Sequence, residues 1–332
     1  MTRKARQLYL SAPVDEIELA ARVLPLIQAL DGHLPDTAFF QKLSAQEGLD
    51  YATMALHLAI RRMNGNRKFI SELESMPINP DTSDSGQRVV LIPALFYAEH
   101  PEVGADGQIA LDVARKLGFD AVRAPTKSMG SMSGNAVILH EFLHSLPPRP
   151  TILVSLSRGT GEVRLFFDRF QNDAVLESIQ GWVNICGLVN GTPIHDMKTR
   201  NRWETLKYRA IVALLGGKFS DFLDLCTTHP HWRRPLMIPP HVTVINALGT
   251  PLPCHMQTHL MGRYRSLAAF GPNDGMNVCR NALLPGCTYP IWGADHFFRS
   301  YEVSSFLYRL FRWIRQRSAS VKDHRREATH AA

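Results

Sequence analysis

Along the first 80 residues the apolar positions recur with the period of a helix. Ile17, Ala20, Ala21 and Leu24 share one face at 3.6 residues per turn, and Ala52, Ala55, Leu56 and Ala59 repeat the pattern. Residues 1–80 are therefore expected to form a helical N-terminal extension, with Asp50 a candidate cap for its second helix. The stretch Pro77–Gly86 (PINPDTSDSG) has no such period and is dense in Pro, Ser, Asp and Gly, which marks a linker.

Beyond the linker, short apolar runs alternate with amphipathic segments. Strands are expected at Arg88–Pro93, Asp120–Pro125, Thr151–Leu156, Trp182–Val189, His241–Leu248 and Thr288–Trp292. Between them Ile109–Leu117 reads as a helix. Leu139, Phe142, Leu143 and Leu146 then share a face after a Gly/Ser/Met loop at Lys127–Gly134. Val163, Phe166, Phe167 and Phe170 share another, and Val303, Phe306, Leu307, Leu310 and Ile314 mark a closing helix. Strands fed by crossover helices give an α/β fold, a mostly parallel central sheet with helices on both faces. In such sheets function collects beyond the carboxyl ends of the strands.

At the end of the third strand stands Ser155-Leu156-Ser157-Arg158-Gly159, followed directly by an amphipathic helix. It resembles the nucleophile elbow of the α/β-hydrolases, G-x-S-x-G, with Ser155 in place of the first glycine. A strand that reverses into a helix within a few residues needs small neighbours and strains the backbone at the central residue. A serine hydroxyl is a poor nucleophile without a base, so the resemblance implies a histidine downstream. His296 follows the last expected strand, in Gly293-Ala294-Asp295-His296-Phe297. For the acid, Gly271-Pro272-Asn273-Asp274-Gly275 resembles the Asn-Asp-Gly turn that carries it in several bacterial lipases; Asp295, adjacent to the histidine, is the lesser candidate. Taken singly, Ser157 also suits a helix N-cap, Asp274 an ordinary turn and His296 a satisfied loop position. Together they stand in the family order Ser…Asp…His on the expected elements.

The resemblance spans residues 85–317 and implies the α/β-hydrolase fold in its lipase- and esterase-like part. The core is expected at 85–190 and 241–317, with a helical cap inserted at 191–240. Trp203, Tyr208, Phe219, Phe222 and Trp232 are that insertion's aromatics. Residues 318–332 are expected to be a disordered basic tail. The implied roles are Ser157 as nucleophile, His296 as base and Asp274 as its orienting acid. The backbone amide of Arg158, with that of Leu95 or Phe96, would serve as oxyanion hole. The His-Gly signature common in that second loop is missing from Pro93-Ala94-Leu95-Phe96-Tyr97, so its donor stays open between the two. The expected activity is hydrolysis of a small-molecule carboxylic ester with an apolar acyl or alcohol part, with no cofactor and no metal. Thioesterase and lactonase activity use the same machinery. A non-catalytic binding protein of the same fold is the reading from another class.

Composition narrows the rest. The 332 residues carry 45% apolar and 20% charged residues, the balance of a folded protein rather than a disordered one. No apolar run approaches the ~18 residues of a membrane span, and no signal-peptide core follows the basic Met1–Arg6 start, so a cytoplasmic protein is expected. Of the net charge of +7, the segment from Arg309 onward supplies +5 through seven Lys or Arg against two acids. That concentration reads as a solvated helix face and tail, and no nucleic-acid partner is expected. The five cysteines lack a Cys-x-x-Cys pair. Cys254-His255 with His259, and His229-Pro230-His231, are the metal-like groupings, neither with a full ligand set. The N-terminal helices are the candidate surface for a homo-oligomer.

Overall fold

The computed structural model describes residues 15–298 and 302–330, with side chains of the last helix described to residue 317. The basic segment Met1–Arg6 and the last two residues of the expected tail lie outside the described residues. Six strands form one sheet in the order β2-β1-β3-β4-β5-β6, every neighbouring pair parallel. They are β1 (Arg88–Ile92), β2 (Asp120–Arg123), β3 (Thr151–Leu156), β4 (Ile179–Ile185), β5 (Thr243–Thr250) and β6 (Cys287–Trp292).

Both faces of the sheet are covered, and the two-residue period of a strand divides its apolar side chains between them. Val89 and Leu91 of β1, Ile152 and Val154 of β3 and Val183 of β4 face one core. It is closed by α4 (Asn66–Ser75), α5 (Gln108–Lys116) and α12 (Glu302–His330). Val90, Ile92, Leu153 and Trp182 face the other, under α6 (Met132–Ser145) and α7 (Gly159–Arg169). The apolar stripe expected of the closing helix is buried in full in the first of these cores, from Val303 to Ile314.

Ahead of the sheet, α1 (Glu16–Ala29), α2 (Thr37–Glu47) and α3 (Leu49–Arg62) precede α4. Asp15 caps α1 by accepting the Ile17 and Glu18 amides, and Asp36 caps α2 through the Phe39 amide. Asp50 caps nothing. The cap position of α3 is Gly48, and Asp50 is a buried residue of its first turn. Leu19, Val23 and Ile27 of α1, Phe40 of α2 and Leu56 and Ile60 of α3 pack with Leu248, Leu252, Cys279 and Ala282 in a third core.

Two expectations need correction at element ends. β4 lies at Ile179–Ile185 rather than Trp182–Val189, because the chain turns at Cys186, whose φ of +46° belongs to no strand. The closing helix runs on through His330, where a disordered tail was expected from residue 318. Residues 318–330 contain neither Gly nor Pro, so nothing in that stretch breaks a helix already begun. Two arginines of this helix are engaged internally. Arg312 donates to the Asn79 carbonyl at 2.6 Å, and Arg315 pairs with Asp81 at 3.2 Å, both in the linker.

The 191–240 insertion holds α8 (Pro193–Lys198), α9 (Arg202–Leu214), α10 (Phe219–Leu223) and a 3-10 turn at Pro230–Arg233. Between β5 and β6 the chain makes a second excursion through α11 (Thr258–Leu267).

Candidate active site

Ser157 follows the last residue of β3 and is separated from α7 by Arg158 alone. Its φ is +50°, a left-handed conformation that costs a non-glycine residue roughly 1–2 kcal/mol. The turn is held by hydrogen bonds from the Ser157 amide to the Ile185 carbonyl (3.1 Å), and to the Ser157 carbonyl from the Thr160 and Leu188 amides. Gly159 is obligatory: a Cβ there would lie 2.6 Å from the Ile92 carbonyl oxygen and 2.7 Å from that of Pro93. The hydroxyl thereby stands at the amino end of α7, beyond the carboxyl ends of the strands.

The imidazole of His296 reaches that hydroxyl, with Nε2 2.8 Å from Ser157 Oγ. Its Nδ1 lies 2.8 Å from Asp274 Oδ2. The acid sits in a tight turn: Asp274 Oδ1 accepts the amides of Met276 (2.9 Å) and Asn277 (2.7 Å), and the Asp274 amide donates to the Asn277 carbonyl. The His296 amide donates to the Asp274 carbonyl at 2.9 Å, which ties the two loops together. The carboxylate is fully buried. Asp295 takes no part in this chain of bonds. Its Oδ1 accepts the Phe297 amide, and burial pushes its carboxyl up. Nucleophile, base and acid types thus form one hydrogen-bonded line from three segments.

For the amides expected to face an oxyanion, those of Arg158, Leu95 and Phe96 make no hydrogen bond among the described residues, whereas Ala94 donates to Ala105. Phe96 has a φ of +61°. Leu95, Phe96 and Ser157 line the same cavity. The Arg158 side chain is buried in the opposite sense, donating to the carbonyls of Lys127, Ser128 and Gly130 and pairing with Glu162 at 2.9 Å. Sequence reading missed Glu162, which looks like a polar helix position yet is fully buried. Burial raises its carboxyl to about 7, with Arg158 and the Asn135 amide pulling it down only in part.

A second feature went unread. Ser155, Asn184, Asn246 and Thr288 are register partners across β3, β4, β5 and β6. Ser155 Oγ accepts from Trp182 Nε1 and bonds Thr160 Oγ1, which donates to Asn184 Oδ1. Asn184 Nδ2 donates to Asn246 Oδ1, and Asn246 Nδ2 to Thr288 Oγ1. This buried polar ladder runs across the sheet from the serine turn. Single polar residues inside apolar strands were its signal.

The cavity over Ser157 and His296 measures about 680 Å³ and is mostly apolar. Ile194, Tyr208, Val212, Phe222 and Leu225 of the insertion form one wall. Of the aromatics singled out in the sequence, Trp203 is exposed, Phe219 packs edge-on against Tyr208, and Trp232 is buried with Met132 and Leu188. Three clusters among the described residues could hold a metal ion: Glu16–Cys254–His255, His140–His144–Asp173 and Asp224–His229–His231. The first two are satisfied by their own hydrogen bonds, and no member of the three lines the cavity. His259, grouped in sequence with Cys254, instead packs beside Phe297.

No protein-family model matches the chain, and no curated protein sequence matches it. Solved structures do. A metagenomic carboxyl esterase, MGS0156, superimposes with a TM-score of 0.55 at 20% identity over 73% of this chain and 79% of the esterase. The mature form of the Bacillus licheniformis lipase BlEst2 gives 0.52 at 18% identity, over 72% of this chain and 93% of the lipase. With the all-parallel sheet and its strand order, these define the class: the chain has the α/β-hydrolase fold. Among the described residues no helix is long and apolar enough to cross a membrane.

Proposed function

We propose that this protein is a serine hydrolase that cleaves carboxylic esters through an acyl-enzyme. The observation that carries the reading is the line Asp274–His296–Ser157, two contacts of 2.8 Å at the mouth of an apolar cavity. His296 Nε2 takes the hydroxyl proton as Ser157 Oγ attacks the ester carbonyl. The oxyanion is met by the Arg158 amide and by that of Leu95 or Phe96. The imidazolium, steadied by Asp274, returns its proton to the leaving alcohol. Water then enters by the same route in reverse and frees the acid.

The 191–240 insertion acts as a cap whose apolar wall receives the acyl or alcohol part and limits water. The esterase and the lipase that share the fold add support for ester substrates. A fluorophosphonate probe should label the folded protein, and Ser157→Ala should abolish labelling and lower kcat by about 10⁴- to 10⁶-fold. Esters, thioesters and lactones belong in the same substrate panel, since each offers a carbonyl to this machinery. A folded parent that takes no label favours a binding protein, and a variant within tenfold of the parent rejects Ser157 as nucleophile.

A further inference from the structure

The cavity is apolar at the serine but not throughout. On the insertion's side its lining includes His195 and Lys198 of α8, Tyr208 of α9 and Arg263 of α11. Arg263 and Lys198 both act electrostatically on the buried His195 ring. Neither cation joins an ion pair among the described residues; Arg263 Nη1 donates to Met276 Sδ at 3.3 Å. Met276 belongs to the acid turn, its amide bonded to Asp274, so this charge lies beside that turn. Glu102 is the one carboxylate in the lining. It belongs to the turn after β1 and holds His100 Nδ1 at 3.0 Å.

The neutral pair between the cations adds a donor. Tyr208 Oη and His195 Nδ1 are 2.7 Å apart. Burial, then the Arg263 and Lys198 charges, lowers His195 to about 4, and burial raises the Tyr208 phenol. Near neutral pH the two rings therefore hold two donor protons, one O–H and one N–H. Their shared bond uses one of them. Whichever tautomer forms, the other remains available, on residues that line the cavity. Two cations, neither in an ion pair among the described residues, and a donor are suited to an anionic group of the ligand.

We propose that the cavity selects esters carrying a second, ionised group, of the carboxylate class, remote from the scissile carbonyl. Lys198 and Arg263 meet the anion while the ester lies at Ser157. The proposal rests on the hydrolase reading and names its substrate class. The probes are 4-nitrophenyl half-esters of dicarboxylic acids of graded length, which place the carboxylate on the acyl side. 4-Carboxyphenyl alkanoates place it on the alcohol side. Each is paired with the neutral ester in which a methyl group replaces the carboxylate, and the quantity read is the ratio of kcat/KM, charged over neutral.

For the side and length that fit, the parent's ratio should fall about fivefold between ~0.02 M and ~0.5 M salt, because exposed charges are screened. Lys198→Gln with Arg263→Gln should lower it about five- to tenfold at low salt. Lys198→Glu with Arg263→Glu should lower it further and reverse the salt dependence. Both side chains are exposed, so folding is not at stake. A ratio within twofold of constant across salt and both variants, with neutral esters still turned over, overturns the anion subsite and leaves the hydrolase standing. Turnover of no ester by the folded parent overturns both.

Discussion

Replacing Asp274 by asparagine tests the site through its tautomer rather than its charge. The carboxylate divides its work: Oδ1 accepts the Met276 and Asn277 amides at 2.9 and 2.7 Å, and Oδ2 faces His296 Nδ1 at 2.8 Å. An asparagine has one oxygen to offer. With that oxygen toward the two amides, its NH₂ group points at Nδ1. The flipped rotamer would set the NH₂ against two buried N–H donors, leaving each unsatisfied at about 1–3 kcal/mol, or ~2–6 kcal/mol in all. The first arrangement therefore wins by a factor of about 30 or more. Nδ1 must then accept, the ring proton moves to Nε2, and the nitrogen facing Ser157 Oγ has no lone pair to take its proton. We predict that Asp274→Asn lowers kcat by about 10⁴-fold on a 4-nitrophenyl ester, the scale of the same change in serine proteases. It should cost only ~1 kcal/mol in urea unfolding, since every amide keeps its acceptor. Asp274→Ala should cost about 3–5 kcal/mol, with two amides and an imidazole N–H left unpaired at a fully buried position. A folded Asp274→Asn protein within tenfold of the parent would refute the tautomer argument. Alanine and asparagine variants of equal stability would refute the account of the turn.

Other residues give shorter tests. Gly159→Ala should destabilise by about 2–4 kcal/mol, because its methyl group meets two backbone carbonyls that cannot move aside; an unchanged urea midpoint would show that the turn has room. Asn184→Ala should cost about 3 kcal/mol by stranding the Ala282 carbonyl and breaking the ladder to Asn246, and a loss under 1 kcal/mol would deny the ladder a structural role. Glu162 titrates near 7 when folded, against 4.5 for the ordinary carboxyl, so between those values the folded state keeps a proton that the unfolded chain has lost. Its contribution is full below 4.5 and is lost as pH rises through 7, a fall of about 3 kcal/mol that Glu162→Gln should remove from the pH profile of urea stability. Parent and variant profiles of the same slope would place that titration elsewhere.

What could be read in the sequence was local. The serine turn, the Asn273-Asp274-Gly275 turn and the loop carrying His296 each sit beside a recognisable strand or turn signal, so their residues were found without knowing what lay across from them. Features made by register were not found. Ser155, Asn184, Asn246 and Thr288 are 29, 62 and 42 residues apart in succession, and only parallel pairing lines them up. Glu162 was missed for a related reason: helix periodicity assigns a polar residue to solvent, and only the neighbouring α6, through Asn135, makes its position interior. Element ends went astray where one backbone angle decided them, as at Cys186, or where capping did, as at Asp50, displaced by Gly48.

The N-terminal helices acquire a role from what they touch. Among the described residues none before Ala94 lines the cavity, so α1 to α4 do not roof it. They grip the chain that carries the acid. Thr37 bonds Asn281, Gln41 bonds the Ala269 carbonyl, and Arg280 reaches back to the Pro35 carbonyl. Leu49 packs with Leu260 and Tyr264 of α11, and Asn66 bonds Thr288 at the end of the polar ladder. Asp274 stands 24 residues past the end of β5, further than a short loop would place it. An excursion of that length has many conformations to lose, and a hydrogen bond of 2.8 Å to His296 tolerates little wandering. The helical layer restricts the excursion from outside, as the Asn277 and His296 amide bonds restrict it from within. That layer therefore serves the geometry of a site it never touches.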